Sequence, residues 1–226
     1  FYEEASACPQ AVMKVFGNGL HVGQPEIYGL AILLDSYFYF DGSDHLGEIF
    51  GLLRKEKKPL WGHFLKNDYY LLLREGIRGF HTGFDIAIGH YVLEPQRNDY
   101  GIQTLAMLYL NGEIEEEKAF LKNHSQMDLF SDQTRDFSRY GWKWCAVVKA
   151  AAPLIQARLA QDELEQVFYE IELPLIEIFA DMECEGFKVE KQELVQAGRV
   201  ISEKIEEIAG RIYQLAGEEF NINSPR

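Results

Sequence analysis

The chain has 226 residues, 47% of them hydrophobic, and a formal net charge of −14. That is enough apolar surface for one large domain or one and a half, while no apolar run reaches the ~18 residues of a membrane span. Its overall field repels phosphates, so tight nucleic-acid binding, which rests on Lys and Arg neutralising backbone charge, is disfavoured for the molecule as a whole. In chain order, Ala11–Phe16 alternates weakly and ends in Gly17-Asn18-Gly19, a strand and a turn. Ile27–Leu34 is a nearly continuous apolar run and Tyr37–Phe40 is aromatic, with Asp35-Ser36 able to turn the chain between two hairpin strands. Leu46, Ile49, Phe50 and Leu53 have helical spacing within His45–Lys55. Pro59-Leu60-Trp61-Gly62 reads as a short buried strand, Leu65–Arg74 as a helix stopped at Gly76, and Phe80–Phe84 as another strand. Asp85 then caps a helix to Leu93.

From Ile102 onward the pattern is helical, interrupted by a loop around Lys122–Asp132, with Ser131-Asp132 starting the helix through Tyr140 and Trp144. Pro153 and Pro174 are expected to break or kink this region, or to sit in first turns. A long helix should end at Gly186, and beyond it Ile201, Ile205, Ile208, Ile212 and Leu215 form a coiled-coil-like stripe ended at Gly217. Antiparallel strands followed by alternating helices and strands predict an α/β fold, a mixed sheet with helices on its faces. The break near Leu164–Glu170 divides it, at 165/166, from a C-terminal helical hairpin. From the acidic start, Phe1-Tyr2-Glu3-Glu4, no signal peptide is expected, and with the stop at 221–226 directly after a long helical pattern both ends lead to the expectation of a fragment of something longer. Cys8, Cys145 and Cys184 are widely spaced, which fits a reducing cytoplasm and argues against a zinc site or a disulfide framework.

The tail carries the most specific pattern. Glu172-Leu173-Pro174-Leu175, then Met182-Glu183 before Gly186, then Leu215-Ala216-Gly217-Glu218-Glu219-Phe220-Asn221-Ile222-Asn223-Ser224-Pro225 resemble the first helix and the base of the thumb of bacterial DNA polymerase I. Upstream, Gly62-His63-Phe64-Leu65-Lys66-Asn67-Asp68, Gly83-Phe84-Asp85, Tyr91-Val92-Leu93, the run Asn98–Ala106 and Ser138-Arg139-Tyr140 resemble the 3′–5′ exonuclease domain of that family. The resemblance implies an RNase H-like fold over residues 1–165 and a truncated thumb over 166–226. It implies a parent that extends a primer with deoxynucleotides using Mg²⁺, in replication and repair, with the rest of the polymerase chain and DNA as partners. No cofactor is expected in this stretch, no membrane, and a cytoplasmic location.

That exonuclease needs clustered carboxylates, because two hard divalent cations take oxygen ligands. The first motif should supply two acids, where the matching positions are Phe16 and Asn18. Asp68 supplies the second, four residues after Phe64. The third should place an acid after Tyr140, where Trp144 stands. One carboxylate cannot hold two cations ~3.5–4 Å apart, and Phe16, Phe64 and Trp144 should fill the space for a terminal nucleotide. The expectation is a catalytically inactive, structural base for the polymerase domain, with Asn221, Asn223 and Ser224 as candidate DNA contacts.

Two alternatives are open from the residues: an active nuclease with a rearranged set, Asp68 with Asp85 or Asp35, and a protein-interaction module using the pocket left by the lost site. The plainer readings are Asp68 as a solvated acid near a helix start and Asp85 as a cap. Gly17-Asn18-Gly19 reads as a turn, Asp181-Met182-Glu183 as helix surface, Glu113–Glu117 as a charged helix face or loop, and the six histidines as scattered. Tyr69, Tyr70, Trp142 and Trp144 read as core packing rather than a base-stacking platform. The isoleucine stripe, without a partner helix, is expected to drive self-association.

Overall fold

The computed structural model describes residues 1–18, 25–124 and 133–224. They form two compact units, Phe1–Glu185 and Gly186–Arg226.

The first unit is built on a five-stranded sheet of order β3-β2-β1-β4-β5, comprising β1 (Ala11–Asn18), β2 (Glu26–Leu34), β3 (Tyr37–Asp41), β4 (Leu60–Gly62) and β5 (Thr82–Asp85). The pairs β1–β2 and β2–β3 are antiparallel, whereas β1–β4 and β4–β5 are parallel. The β2–β3 hairpin closes at Asp35, whose φ of 24° is the left-handed conformation that a short polar side chain tolerates. Val12, Met13, Lys14, Val15 and Phe16 are all buried, since β1 has its two neighbours and a helix layer against it, and this is why the strand alternates so weakly. The register of β1 on β2 shifts between Phe16 and Gly17. A Cβ on Gly17 would lie 2.6 Å from the Glu26 carbonyl, so only glycine fits this bulge.

Helices α1 (Tyr2–Ala7), α2 (Leu46–Lys55), α3 (Leu65–Arg74), α4 (Ile86–Leu93), α5 (Ile102–Leu110), α6 (Glu117–His124), α7 (Gln133–Gln161) and α8 (Leu173–Glu185) surround the sheet. The short α1 has no counterpart in the sequence reading, β5 starts two residues later than expected, and the proposed Ser131-Asp132 start of α7 lies outside the described residues. Helix α7 lies across β1 and β2, brought close by Gly141: a Cβ there would sit 2.6 Å from the Ala31 side chain and 3.2 Å from the Phe16 ring. Pro153 is carried inside this 29-residue helix without ending it. Just before Pro174, residues Val167–Glu172 form a π-helical turn, a local widening of the ladder next to a residue that cannot donate a backbone hydrogen bond.

The unit boundary falls at Glu185/Gly186, twenty residues after the break expected near 165/166, because α8 packs on α3 and β5 and so belongs to the sheet domain. Gly186 has φ 69°, the expected C-terminal stop.

The second unit is α9 (Lys191–Ala216), closed by Gly217 at φ 76°, and a tail in which the Tyr213 and Phe220 rings meet edge to face at 5.8 Å. None of the α9 side chains is buried. Ile201, Ile205, Ile208 and Leu215 are exposed and Ile212 partly so, as the stripe pattern implied for a helix without a partner.

Candidate functional site

The site sits where β1, the start of α3 and the middle of α7 converge. Alternation along β1 puts Lys14 and Phe16 on the face that meets α7. Phe16 is fully buried, 5.5 Å from the Phe137 ring and 5.8 Å from that of Tyr140. Trp144, one turn further along α7, is 5.9 Å from Tyr140 and 5.3 Å from His63. The Tyr140 ring stacks on Phe120 at 4.1 Å, and its hydroxyl donates to the Glu115 carbonyl at 2.7 Å. The phenol is therefore committed to the segment before α6.

At the centre lies a charge that the sequence reading did not single out. The Lys14 ammonium is 3.0 Å from Asp68 Oδ1 and 2.9 Å from Glu117 Oε1, and 5.0 Å from the centre of the Trp144 ring. Asp68 is fully buried, so the expectation of a solvated acid is corrected: the first turn of α3 is folded inward against β1. Burial alone disfavours the ammonium, but the Asp68 and Glu117 carboxylates outweigh it and raise the Lys14 pKa above its ordinary value. Burial pushes the Asp68 carboxyl up to about 7, against the pull of Lys14. One ammonium is thus shared by two carboxylates, the deeper of which is Asp68. Its Oδ2 and the Trp144 Nε1 are buried without a hydrogen-bond partner.

Of the expected site residues, Phe16, Asp68, Tyr140 and Trp144 come together, and Asn18 does not. Asn18 ends β1, and its side-chain oxygen accepts from the Glu26 amide at 3.1 Å. The strand position facing Asp68 is Lys14, two residues before Phe16. Phe64 does not fill the site either: it precedes α3 in the left-handed conformation, φ 52°, and is 37% exposed, its ring 4.5 Å from that of His63. A two-cation carboxylate centre does not fit these residues, because Nζ occupies the point where carboxylates converge and Phe16 and Trp144 offer no ligand atom.

The other carboxylates of the rearranged set, Asp85 and Asp35, have partners of their own. Asp85 accepts from the amides of Leu65 at 2.7 Å, Ala87 at 2.9 Å and Ile88 at 3.1 Å, which makes it the cap of α4 and a brace for α3. Burial pushes its pKa up, and these amides hold it down in part. Asp35 is bonded to Lys149 at 3.0 Å and is solvated. Asp181 and Glu183 go to separate partners, Arg78 and Lys66. Among the described residues no group of three or more His, Cys, Asp or Glu could hold a metal ion, and no helix is long and apolar enough to cross a membrane. His63 is buried with Nε2 at 2.8 Å from the Tyr100 carbonyl, and burial lowers its pKa to about 3. Tyr69 and Tyr70 are core residues like Trp144, whereas Trp142, expected in the core, is 51% exposed on the outer side of α7. In the second unit Asn221 folds a turn, accepting from the Asn223 amide at 3.1 Å through Oδ1 and from the Ser224 amide at 3.1 Å through its carbonyl. Asn221, Asn223 and Ser224 are exposed.

No family model matches the chain. It is 35% identical over 163 residues to DNA polymerase I of Caldicellulosiruptor bescii, a match covering 72% of this chain and 17% of that protein. It is 31% identical over 175 residues to DNA polymerase I of Lactococcus lactis subsp. lactis, covering 77% and 20%. With DNA polymerase I of Bacillus subtilis the identity is 27% over 219 residues, covering 95% of this chain and 24% of the relative. The chain thus spans about a fifth of the length of the curated relatives it matches. Among solved structures, the POL domain of Pol1 from M. smegmatis, in complex with DNA primer-template and dNTP, superposes with a TM-score of 0.73 at 20% identity. That match covers 99% of this chain and 37% of the other, and it supports the α/β, RNase H-like fold with a C-terminal helical extension. By sequence, this chain belongs with bacterial DNA polymerase I, as the counterpart of one part of that protein.

Proposed function

We propose that the first unit is a nucleolytically silent exonuclease-like domain. It acts as a rigid base for the polymerase domain of a DNA polymerase I, and residues 186–226 supply the base of its thumb. The observation that carries this reading is the Lys14 ammonium between Asp68 and Glu117. A fixed positive charge at that point repels a divalent cation, and Phe16 and Trp144 fill the room beside it. The activity proposed for the parent is extension of a primer 3′ end by deoxynucleotides, in line with the relatives' name, with Mg²⁺ as the metal that the family resemblance implies. Asn221, Asn223 and Ser224 are the proposed DNA-backbone contacts. The α9 stripe is covered, in the isolated chain, by a second copy of itself.

A buried, paired site favours this over the interaction-module reading, which needs Phe16 and Trp144 exposed; both are buried. The test is digestion of a 3′-labelled single-stranded oligonucleotide by the purified chain in Mg²⁺ and in Mn²⁺. Intact substrate is the expected result; stepwise shortening abolished by Asp68→Asn would refute the proposal.

A further inference from the structure

The connections α2–β4 and α3–β5 run side by side at the N-terminal ends of β4 and β5, whereas Asp68 follows the other end of β4. The Arg54 guanidinium of one connection donates to the Arg78 carbonyl of the other at 3.2 Å, and the Leu60 amide donates to the His81 carbonyl at 2.7 Å. Residues 54–59 and 74–81 hold six of the chain's 22 Lys and Arg against two of its 36 Asp and Glu, so this end of the domain is positive in a strongly negative chain. Lys58 turns inward to the Ser6 and Cys8 carbonyls. Arg54, Lys55, Lys57, Arg74 and Arg78 are exposed, and Arg78 is also paired with Asp181 of α8.

Arg54, Lys55 and Arg74 lie in last helical turns, where cations offset the carbonyl ends. Lys57 has no such reason. Both helices end in one motif: the Lys58 amide donates to the Leu53 carbonyl at 2.8 Å and the Lys57 amide to that of Arg54 at 3.0 Å, as Ile77 does to Leu72 at 2.9 Å and Gly76 to Leu73 at 3.0 Å. The left-handed residue of the motif is Gly76, φ 76°, after α3 but Lys57, φ 48°, after α2. A side chain in that conformation costs backbone stability that glycine avoids, so a lysine is held where the backbone favours glycine.

We infer that this face is a docking surface for the phosphate backbone of double-stranded nucleic acid. The cleft between the connections has a volume of about 10 Å³, room for a water and not for a phosphate group, so the cations do not converge on one small anion. It gives no apolar pocket to anchor an acidic peptide either. Long cationic side chains spread over two loops instead match a polymer whose charges are closely and regularly spaced, and the forks of Arg54, Arg74 and Arg78 suit phosphate oxygens. The two rings of the cleft are engaged, Phe50 in the core and Phe80 stacked on Tyr69 at 4.1 Å, so neither offers unpaired bases a platform. The contact is therefore with paired strands and independent of sequence. This surface is separate from Asn221, Asn223 and Ser224 and does not depend on the silent-site reading. The net charge of −14 makes the binding weak and steeply salt-dependent.

The test is fluorescence anisotropy of a labelled DNA duplex of about 20 base pairs, titrated with the purified chain at about 50 and about 200 mM NaCl. Divalent metal is left out, so the outcome is independent of any nuclease activity. Saturable binding at the lower salt is expected, weakened on the order of 100-fold at the higher, as for three or four neutralised phosphates. Lys57→Gly keeps the backbone motif, so its thermal midpoint should hold or rise while its affinity falls and its salt slope drops by about one. Lys55→Glu/Lys57→Glu/Arg74→Glu should abolish binding. The inference is overturned if the unmodified chain does not bind the duplex, or if the triple variant or Lys57→Gly binds it as tightly. It is overturned equally if the matching single strand or poly-glutamate is held more tightly than the duplex. Binding that survives the triple variant and is lost with Asn221→Ala/Asn223→Ala would place the contact in the second unit and refute this one.

Discussion

Lys14 shows how a single residue decides both the stability and the chemistry of this domain. A buried ion pair broken on one side leaves an uncompensated charge, so Lys14→Met should cost about 3–5 kcal/mol in urea unfolding. The double variant Lys14→Met/Asp68→Asn should recover most of that loss; equal destabilisation of single and double variants would show that the pair is not the cause. His63 and Asp68 titrate in opposite senses. His63 is held down to about 3 by burial, so the unfolded chain, with the ordinary value of ~6.5, takes up a proton that the folded chain refuses, and acidification from about pH 6.5 to 3 costs stability. Asp68 is held up to about 7, so the folded chain keeps a proton that the unfolded chain loses near ~3.9, and this contribution declines as pH rises from about 4 to 7. His63→Gln, which keeps a donor for the Tyr100 carbonyl, removes only the first slope. Relative to the unmodified chain, the variant should gain up to about 1.4 kcal/mol per pH unit as pH falls from 6 to 4. Parallel stability profiles would contradict the buried neutral imidazole.

That Asp68, Tyr140 and Trp144 lie around one site was legible in the sequence. The partner of Asp68 was not. A two-residue offset along a strand keeps the same face and moves the contact by ~7 Å, so pattern matching settled on Phe16 while the geometry selects Lys14. The available signal was a lone lysine within the apolar run Ala11–Phe16: a cation buried there demands a carboxylate. Glu117 carried no signal at all, as one of four glutamates among residues 113–117.

At the level of elements, α7 approaches the sheet through a glycine contact, while among the described residues of its own unit α9 carries the tail through the Tyr213–Phe220 ring contact and buries no side chain. Gly141→Ala drives a methyl group into Ala31 and Phe16 and should cost about 1–3 kcal/mol, the usual penalty of overpacking. Gly198→Ala and Gly210→Ala meet nothing within 4 Å, and each should stabilise α9 by up to ~1 kcal/mol, read as increased helicity. A neutral Gly141→Ala would mean that α7 does not approach β2 as closely as the structure has it. Sequence reading gave α2 and α3 almost to the residue: α2 shows one buried stripe at Leu46, Ile49, Phe50 and Leu53, and α3, buried continuously from Asp68 to Leu73, is bounded by the stop at Gly76. The placement of α8 was not legible, since the stretch Leu164–Glu170 reads as a domain break, whereas the packing of α8 on α3 is a tertiary fact with no local pattern.

For the whole molecule, the second unit leaves an apolar stripe in water, and a net charge of −14 opposes association without preventing a local apolar contact. Light scattering from dilute to high concentration should show a mass rising toward the dimer, and Ile205→Glu/Ile208→Glu should return it to monomer. A constant monomer mass would remove the stripe as an interface. The central claim concerns the first unit, that a tethered ammonium has replaced the cations of a proofreading site. Calorimetric titration of Mn²⁺ and Mg²⁺ into the unmodified chain, with thymidine monophosphate present, tests it most directly. The account predicts no saturable binding up to millimolar metal; saturable binding of two metal ions would contradict it.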